Sequence, residues 1–580
     1  MMRKFSVLAA TLAFLAALHT PGLDAFELPE GASGLAPKPL VEAKKHVVVA
    51  AHPLAAEAGR TMLRQGGSAI DAGIATQMVL NLVEPQSSGI GGGAFILYWD
   101  TGAETLTSYD GRETAPAAAT PELLLDDDGK PLPRNAAIAS GRSVGVPGAL
   151  AALKLVHDRY GQLPWAELFQ PAIALARDGF PISPRLAAML ADADPATFAP
   201  EACAYFFDAE GRPWPTGYRL KNPALAETFE VIARDGSRAF YTGAIATDIA
   251  EAVQNDPRRP GSLTEQDLAD YRAKERQPLC TPYRGRRVCG AGPPSSGAVA
   301  VGQVLTLIET YDLGATPLEV RPSHLIAEAE RLAFADRARY VADPDFVEVP
   351  AGLLDPGYLA ERRALIDPAK AGTGIAAGRP PNIKHGAFGL DATKERGGTS
   401  QISIVDSEGD AFSMTTSIEH AFGARTMIRG FLLNNQLTDF SALPVDVGGN
   451  AIANRVEPGK RPRSSMDPTM VFGENGALHY VLGSPGGPAI IFFNLKAIVA
   501  LIDWQLDPAQ AAALLNFGGT EEAVLIEPGV AWNSFAAGLA ALGHEIRRMP
   551  LTSGQHIIAV TPDSLEAGAD PRREGVALGD

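Results

Sequence analysis

One stretch of the sequence decides the fold: residues 397–417 read GGTSQISIVDSEGDAFSMTTS. Apolar and polar side chains alternate with a period of two through 401–405 and, less regularly, through 411–415, which predicts two β-strands. Between them, Gly409 suits the third position of a three-residue hairpin loop, because that position needs a left-handed backbone. The stretch therefore predicts an antiparallel β-hairpin that begins after two glycines.

The hairpin loop also sets the register, since loop length and turn type determine which residues face each other. The pairs that this register predicts are Asp406–Asp410, Thr399–Ser417 and Gly397–Glu419. Two hydroxyl-bearing side chains thus face each other where the hairpin begins.

This arrangement permits a specific reaction. The Thr399 hydroxyl can reach the preceding peptide carbonyl, because Gly398 has no side chain to obstruct an N→O acyl shift. Hydrolysis would leave Thr399 with a free α-amine, whose ordinary pKa of about 7.7–8.0 makes it a usable base. Thr399 would then supply both nucleophile and base, and Ser417 would hold its hydroxyl. The alternative is that Gly398-Thr399 only begins a strand.

Three motifs outside the hairpin offer groups that such a reaction needs. Gly486-Gly487 follows a predicted strand at 478–482, and their N–H groups can turn toward a developing oxyanion; a tight turn is the alternative. Arg112 follows a turn and suits a carboxylate clamp, or it is a surface arginine. Ser464-Ser465 offers hydroxyls to the same anion, or forms a plain turn.

A fourth motif, residues 434–439 (NNQLTD), ends the apolar run 431–433. This motif is a cluster of polar acceptor groups. Capping of a helix by Asn or Asp is the alternative.

Helical apolar spacing and short β-branched runs predict further elements along the chain. The predicted helices are 53–66, 68–83, 146–160, 164–177, 223–235 and 323–342, and the predicted strands include 46–51 and 94–99. Residues 372–398 are glycine-rich, contain Pro380-Pro381 and lack periodicity, which predicts a linker that leads into the hairpin.

The composition is that of an ordinary soluble protein, with 46% hydrophobic and 20% charged residues among 580. Lys+Arg number 50 and Asp+Glu 67, which gives a formal net charge of −17. An acidic chain without a basic stretch argues against binding to nucleic acid or to an anionic membrane. The histidines are scattered without metal-ligand spacing, so we predict no metal site.

Three cysteines are too few for a disulfide-framework fold. Cys280 and Cys289 flank a predicted hairpin turn at 283–286 and can pair across it in an oxidising compartment. The alternative is that they are two small core residues, and both interpretations stay open at this point.

The amino terminus resembles a secretory signal. Arg3 and Lys4 precede an apolar run, 5–18, which is shorter than the roughly 20 residues needed to span a bilayer. We predict a signal peptide, residues 1–25, cut after Ala25, and a periplasmic or secreted protein without stable membrane insertion. The alternative is a membrane anchor that is never cut.

Ten segments together resemble the γ-glutamyltransferase (glutathione hydrolase) family of N-terminal-nucleophile hydrolases. In chain order they are HPLAAEAGRTMLRQGGSAIDA (52–72), GIGGGAF (89–95), DGRETAP (110–116), VGVPGALAALKLVHDRYG (144–161), LTEQDLADYRAKERQPL (263–279), PPSSG (293–297), AEAERLAFADRARYVADPDFV (327–347), LLNNQLTDFS (432–441), KRPRSSMDPT (460–469) and GSPGG (483–487).

The resemblance implies an α/β fold, a four-layer αββα sandwich made from a precursor that cleaves itself between Gly398 and Thr399. The products would be a large subunit, 26–398, and a small subunit, 399–580, which stay together as one intertwined heterodimeric domain. No cofactor or metal is implied.

The resemblance also implies roles for individual residues. Thr399 matches the nucleophile, and Ser417 stands where the family has a threonine that binds it. The remaining matches are Gly486 and Gly487 for the oxyanion, Arg112, Ser464 and Ser465 for the substrate α-carboxylate, and Gln436 and Asp439 for the α-amino group.

Two departures from the family pattern bear on specificity. Glu419 stands where the family usually has an asparagine that binds the α-amino group, and with Asp439 it would add negative charge. The segment 442–459 is shorter than the lid of typical family members, and it lacks the aromatic residue with which that lid covers the bound substrate. An open site would admit larger donors or acceptors and favour water over an amino acceptor.

The implied function is cleavage of the γ-glutamyl amide of glutathione and related compounds through a γ-glutamyl-Thr399 acyl-enzyme. The acyl group would pass to water, an amino acid or a peptide. Three alternatives remain: a cephalosporin (glutaryl) acylase, a poly-γ-glutamate hydrolase, and a non-enzymatic periplasmic binding protein for amino acids or peptides.

Overall fold

The computed structural model describes residues 30–383, 388–393 and 397–580. The predicted signal peptide, 1–25, lies outside these ranges, as do residues 384–387 and 394–396 of the predicted linker. Two seven-stranded antiparallel sheets form the centre of the molecule.

The first sheet, here called the hairpin sheet, contains both strands of the predicted hairpin. In spatial order its strands are Val576–Gly579, Val47–Ala50, Gly398–Val405, Ala411–Glu419, Gly93–Asp100, Thr105–Gly111 and Lys274–Arg276. The strands of the second sheet are Val41–Ala43, Leu565–Ala569, His556–Val560, Leu478–Gly483, Thr469–Gly473, Arg286–Gly290 and Leu279–Tyr283.

The two sheets pack face to face through buried apolar side chains, which include Val49, Leu97, Met470, Val481 and Ile558. Helices cover the outer faces. Those on the hairpin sheet are Pro53–Arg64, Ala69–Val83, Ala149–Tyr160, Gln170–Asp178 and Pro223–Asp235; those on the second sheet are Gly297–Ile308, Val320–Tyr340 and Ala489–Ile502. The predicted four-layer αββα sandwich is confirmed.

Shorter elements surround these layers. The helices among them are Arg134–Ile138, Pro184–Ala191, Pro200–Phe206, Arg238–Tyr241, Ala244–Gln254, Glu265–Asp270, Pro356–Arg363, Pro508–Ala513 and Asn533–Ala541. Small sheets pair Phe180–Pro181 with Arg219–Leu220, Met427–Ile428 with Phe431–Leu432, and Phe517–Gly519 with Val524–Ile526 and Ile546–Arg548. Within the described ranges, no helix is long and apolar enough to cross a lipid bilayer.

The hairpin formed by Gly398–Val405 and Ala411–Glu419, here called the central hairpin, has the predicted register from Thr399–Ser417 onward. The Asp406 N–H donates to the Asp410 carbonyl at 3.0 Å, and Gly409 has φ +86°. One predicted pair is wrong: Glu419 pairs with Gly398, not Gly397, because a bulge shifts the register between Gly398 and Thr399.

Some of the other predicted helices have the predicted ends and some do not. Helix Pro223–Asp235 has the predicted bounds, whereas helix Ala149–Tyr160 begins three residues later than the predicted 146–160. The reason is that the Val146 N–H donates to the Thr114 carbonyl at 2.9 Å in an isolated bridge. Pro147 therefore lies before the helix and not in its first turn.

Cys280 and Cys289 form a disulfide between the adjacent strands Leu279–Tyr283 and Arg286–Gly290. Of the two interpretations left open by the sequence, cross-turn pairing is therefore the one observed. Cys203 is free and half-buried.

Asp71 connects helix Ala69–Val83 to its surroundings. It is fully buried, and its Oδ2 accepts from the N–H groups of Ser68, Gln162 and Leu163 at 2.9–3.0 Å. We expect Asp71→Ala to lower the free energy of unfolding by about 3 kcal/mol, because buried donors lose their acceptor. Urea denaturation measures this, with the exposed Asp158→Ala as control. Equal effects of the two substitutions would contradict it.

Candidate active site

The open end of the central hairpin holds a chain of hydrogen-bonded oxygen atoms. Thr399 is buried, with 3% of its surface exposed, and its hydroxyl donates to Ser417 Oγ at 3.4 Å. The Ser417 hydroxyl donates to the Gly398 carbonyl at 2.5 Å and accepts from the Glu419 N–H at 2.8 Å. A buried hydroxyl thereby polarises the peptide carbonyl that precedes Thr399.

The Gly486-Gly487 turn lies beside this point. It joins strand Leu478–Gly483 to helix Ala489–Ile502, and its glycines have φ values of +140° and +58°, which other residues rarely adopt. A Cβ on Gly397 would lie 2.6 Å from the Gly487 nitrogen. The turn therefore packs closely against the backbone just before the hairpin.

A small cavity opens at the same place. Its lining residues are Thr399, Ser417, Glu419, Gln436, Asp439, Ser464, Ser465, Met466, Gly487 and Ile490. The residues predicted to bind substrate thus line one cavity, with the exception of Arg112. Gln436 Oε1 is buried and has no hydrogen-bond partner among the described residues, so it offers an acceptor to a ligand.

Arg112 lies behind the cavity wall. Its guanidinium is fully buried and pairs with Asp439 through an Nη2–Oδ2 contact of 2.6 Å. It also donates to the carbonyls of Pro462 and Arg463 at 3.1 and 2.9 Å. The structure places this arginine against a carboxylate of the protein, where the sequence predicted contact with a carboxylate of the substrate.

Glu419 is also paired with an arginine, which the sequence analysis missed. The Arg134 Nη2 atom lies 3.5 Å from Glu419 Oε1, and the Asn435 amide donates to Glu419 Oε2. Arg134 begins the short helix Arg134–Ile138, far from Glu419 in the sequence, and no motif marks it. The negative charge expected from Glu419 and Asp439 is therefore balanced by two arginines.

The Ser464-Ser465 segment is held by a second missed arginine. Arg337, from helix Val320–Tyr340, donates to Ser465 Oγ and Ser296 Oγ, each at 2.7 Å. The Ser296 hydroxyl donates to the Ser464 carbonyl at 2.7 Å. The sequence motif PPSSG (293–297) thus supports the cavity wall and does not line it.

Residues 442–459 do not form a cover over the cavity. Val445 pairs with Ala451 in a small exposed loop, and the side chains of Leu443, Val445 and Val447 are exposed. None of the described lining residues belongs to this segment.

One histidine cluster lies elsewhere and was missed because its members are distant in the sequence. His324, Glu328 and His544 are buried together. His324 donates through Nε2 to the Asp367 carbonyl at 2.8 Å and accepts through Nδ1 from His544 Nε2 at 2.7 Å. Two nitrogen ligands of one tetrahedral zinc lie about 3.3 Å apart at Zn–N distances of 2.0–2.1 Å, so this contact is an N–H···N hydrogen bond.

A four-layer αββα sandwich with a buried threonine at the start of its central hairpin defines the class of N-terminal-nucleophile hydrolases. Within that class the chain belongs to the γ-glutamyltranspeptidase family, whose model, described as Gamma-glutamyltranspeptidase, matches residues 55–580. The resemblance seen in the sequence is confirmed, and the chain is an enzyme of this family.

Relatives with two different names resemble the chain over most of its length. The glutathione hydrolase proenzyme of Bacillus subtilis (strain 168) is 36% identical over 550 residues, 92% of each chain. The acylase ACY 1 proenzyme of Pseudomonas sp. (strain V22) is 35% identical and covers 90% of this chain and 91% of its own. The crystal structure of a cephalosporin acylase from Bacillus halodurans has TM-score 0.83 and 28% identity, covering 95% of this chain and 99% of that one.

Glu113, next to Arg112, gives the site a pH-dependent stability. Burial raises the pKa of its carboxyl to about 8, although Arg112 opposes the shift. The pKa of Glu113 is higher in the folded protein than in the unfolded chain. Its contribution to the free energy of unfolding is therefore largest below the unfolded pKa and is lost as the pH rises through about 8. We expect wild-type protein to lose on the order of 3 kcal/mol of folding free energy between pH 5 and 9 relative to Glu113→Gln.

Denaturant titrations across that pH range measure the difference. Glu122→Gln, at an exposed position, is the control and should track the wild type. A Glu113→Gln protein whose stability changes with pH as the wild type does would contradict the assignment.

Proposed function

We propose that the chain is a self-cleaving precursor that becomes a γ-glutamyl hydrolase and transferase. The subunits would be 26–398 and 399–580, held together as a heterodimer, periplasmic or secreted after the signal peptide is removed. The observation that carries this proposal is the hydrogen-bonded chain from Thr399 through Ser417 to the Gly398 carbonyl.

In the maturation step, Thr399 Oγ attacks the Gly398 carbonyl carbon. The Ser417 hydroxyl stabilises the charge that develops on the carbonyl oxygen, which lies 2.5 Å away. The C–N bond breaks, the hydroxyl proton passes to the Thr399 nitrogen, and an ester remains. Water then hydrolyses the ester, leaving a carboxylate on Gly398 and a free amine on Thr399.

In turnover, the Thr399 amine takes the proton of its own hydroxyl as the oxygen attacks the γ-amide of the substrate. The N–H groups of Gly486 and Gly487 stabilise the oxyanion, and one such donor contributes about 3–4 kcal/mol in other enzymes. The amine product leaves with that proton. Water or a second amine then cleaves the acyl-enzyme and restores the Thr399 hydroxyl.

The cavity supports recognition of an amino-acid end. Ser464 and Ser465 present hydroxyls to the substrate α-carboxylate, and Arg337 behind Ser465 adds positive charge. Gln436 Oε1, Glu419 and Asp439 present acceptors to the α-ammonium group. Arg112 acts through Asp439, whose carboxylate it fixes.

A glutaryl acylase is the second candidate, and a specific observation favours it. A glutaryl group has no ammonium, and each cavity carboxylate already has an arginine beside it. The carboxylates would therefore not be left unpaired by such a substrate. The resemblance to acylase ACY 1 and to a cephalosporin acylase points the same way.

Maturation gives the first test of the proposed function. We expect Thr399→Ala to remain a single chain and to lose at least about a thousandfold in turnover of γ-glutamyl-p-nitroanilide. Ser417→Ala should slow cleavage by about tenfold or more, because the Gly398 carbonyl loses its donor. Denaturing gels and sequencing of the smaller band, expected to begin Thr-Ser-Gln-Ile, measure both.

Thr399→Ser, which keeps a hydroxyl, and Ser403→Ala, farther along the same strand, are the controls and should mature. Cleavage and activity in Thr399→Ala would refute the mechanism. An uncleaved wild-type protein that binds amino acids without turnover would support the binding-protein alternative instead.

Acyl selectivity gives the second test. The readout is kcat/KM for γ-glutamyl-p-nitroanilide divided by that for glutaryl-p-nitroanilide. Glu419→Gln should lower this ratio by about tenfold, since a charged acceptor for the ammonium is lost. Arg134→Met should raise it, because Glu419 then lacks its neutralising partner.

Arg142→Met, at a neighbouring position that contacts the Leu125 carbonyl, is the control. A wild-type ratio below one would favour the acylase. A ratio that neither substitution changes would exclude Glu419 from recognition of the ammonium group.

A further inference from the structure

Four buried charged side chains lie together behind the first residues of the central hairpin. They are Glu30, Glu84, Arg185 and Arg573, and each is at most 2% exposed. Arg185 pairs with Glu30 and with Glu84 at 2.5 Å each. Arg573 pairs with Glu30 at 2.9 Å. Two carboxylates thus neutralise two guanidinium groups away from water.

This charge cluster touches the hairpin directly. Arg573 Nη1 donates to the Thr399 carbonyl at 3.3 Å. The hydroxyl of the next residue, Ser400, donates to Glu84 Oε2 at 2.9 Å. The backbone of the proposed nucleophile is therefore held from behind by one member of the cluster, and its neighbour by another.

Glu30 comes from the first described segment of the chain, just after the predicted signal peptide. This segment runs beside the loop that carries Arg573. The Ser33 and Ala36 N–H groups donate to the Arg572 and Pro571 carbonyls at 2.9 and 3.1 Å, and Lys38 Nζ donates to the Arg573 carbonyl at 2.6 Å. The amino-terminal segment thus fixes the backbone of the loop as well as its arginine.

Arg573 depends on Glu30 for its charge balance. Among the described residues, Glu30 is the carboxylate within ion-pair distance of Arg573. Burial lowers the pKa of Arg573 to about 10, and Arg185 adds to the shift. A buried guanidinium that loses its partner is strongly disfavoured, so without Glu30 this arginine would move or recruit water.

We propose that Glu30 is a positioning residue of the active site: it holds Arg573 against the Thr399 carbonyl and so sets the orientation of Thr399 and the proton affinity of its amine. The inference rests on the proposed role of Thr399. It makes the start of the large subunit a required part of a site whose nucleophile belongs to the small subunit.

The sign of the electrostatic effect follows from the charges around Thr399. The charged groups are Glu30, Lys38, Glu84, Arg112, Arg134, Arg185, Glu419, Asp439, Asp570, Arg573 and Glu574. His556 contacts the same strand but is uncharged near neutral pH, because burial lowers its pKa to about 3. Removing the Glu30 charge leaves the cluster more positive, which disfavours an ammonium on Thr399 and lowers its pKa. Removing the Arg573 charge has the opposite effect.

The test compares Glu30→Gln, Glu30→Asp and Arg573→Met, with the exposed Glu42→Gln as control. Rates are normalised to the amount of small subunit that begins at Thr399. We expect Glu30→Gln to lower kcat about tenfold at nearly unchanged KM. In the plot of kcat against pH, the apparent pKa on the acid side should fall by about half a unit in Glu30→Gln. In Arg573→Met it should rise by a similar amount.

Glu30→Asp keeps the charge and should restore the apparent pKa on the acid side. Slow maturation of a folded Glu30→Gln protein, with normal maturation of Glu30→Asp, would also support the inference. An unshifted apparent pKa, or a Glu30→Gln enzyme equal to Glu42→Gln, would overturn it. These results leave the proposed function intact, because that function is tested separately by the maturation and turnover of Thr399→Ala and by the acyl selectivity of the wild type.

Discussion

Antiparallel pairing of Thr399 with Ser417 puts two hydroxyl groups on one face of the hairpin sheet, and the rest of the site is arranged around that pair. The bulge before Thr399 then directs the Gly398 carbonyl toward Ser417 Oγ, at 2.5 Å. The same bulge brings the backbone at Gly397 against the Gly487 nitrogen. The Thr399 hydroxyl, the Gly398 carbonyl and the Gly486-Gly487 turn thus meet because of one register.

The position of this pair within the sheet also explains how a cut chain could stay folded. Strand Gly398–Val405 pairs along its length with Ala411–Glu419, and from Ile402 onward it also pairs with Val47–Ala50. A break before Thr399 would release only the bulged Gly398 end of the strand. Side chains from both proposed subunits, such as Arg337 with Ser465 and Arg112 with Asp439, would still hold the halves together.

The sequence predicted the hairpin because its signals are local: alternation of side chains and a glycine at the turn. The pairing of Cys280 with Cys289 was left open, although the two flank one turn. The bulge was not predicted, because two consecutive glycines allow either register at that point. Arg134, Arg337 and Glu30 were missed for a different reason. An ion pair or hydrogen bond between distant segments leaves no periodic pattern, and a charged residue taken alone resembles any surface residue.

The missed arginines change how specificity must be argued. Reading Glu419 and Asp439 as two bare carboxylates predicts a strong demand for a cationic substrate. With Arg134 and Arg112 in place, a substrate ammonium at the proposed site would share carboxylates that are already neutralised, so its net gain in binding free energy would be smaller. Discrimination then depends on how firmly each arginine is fixed. Arg112 is fully buried and donates to two backbone carbonyls, which hold it in place. The Arg134 side chain is 22% exposed, so it can move away from Glu419 more easily. Selectivity for the acyl group should therefore be set at Glu419 more than at Asp439.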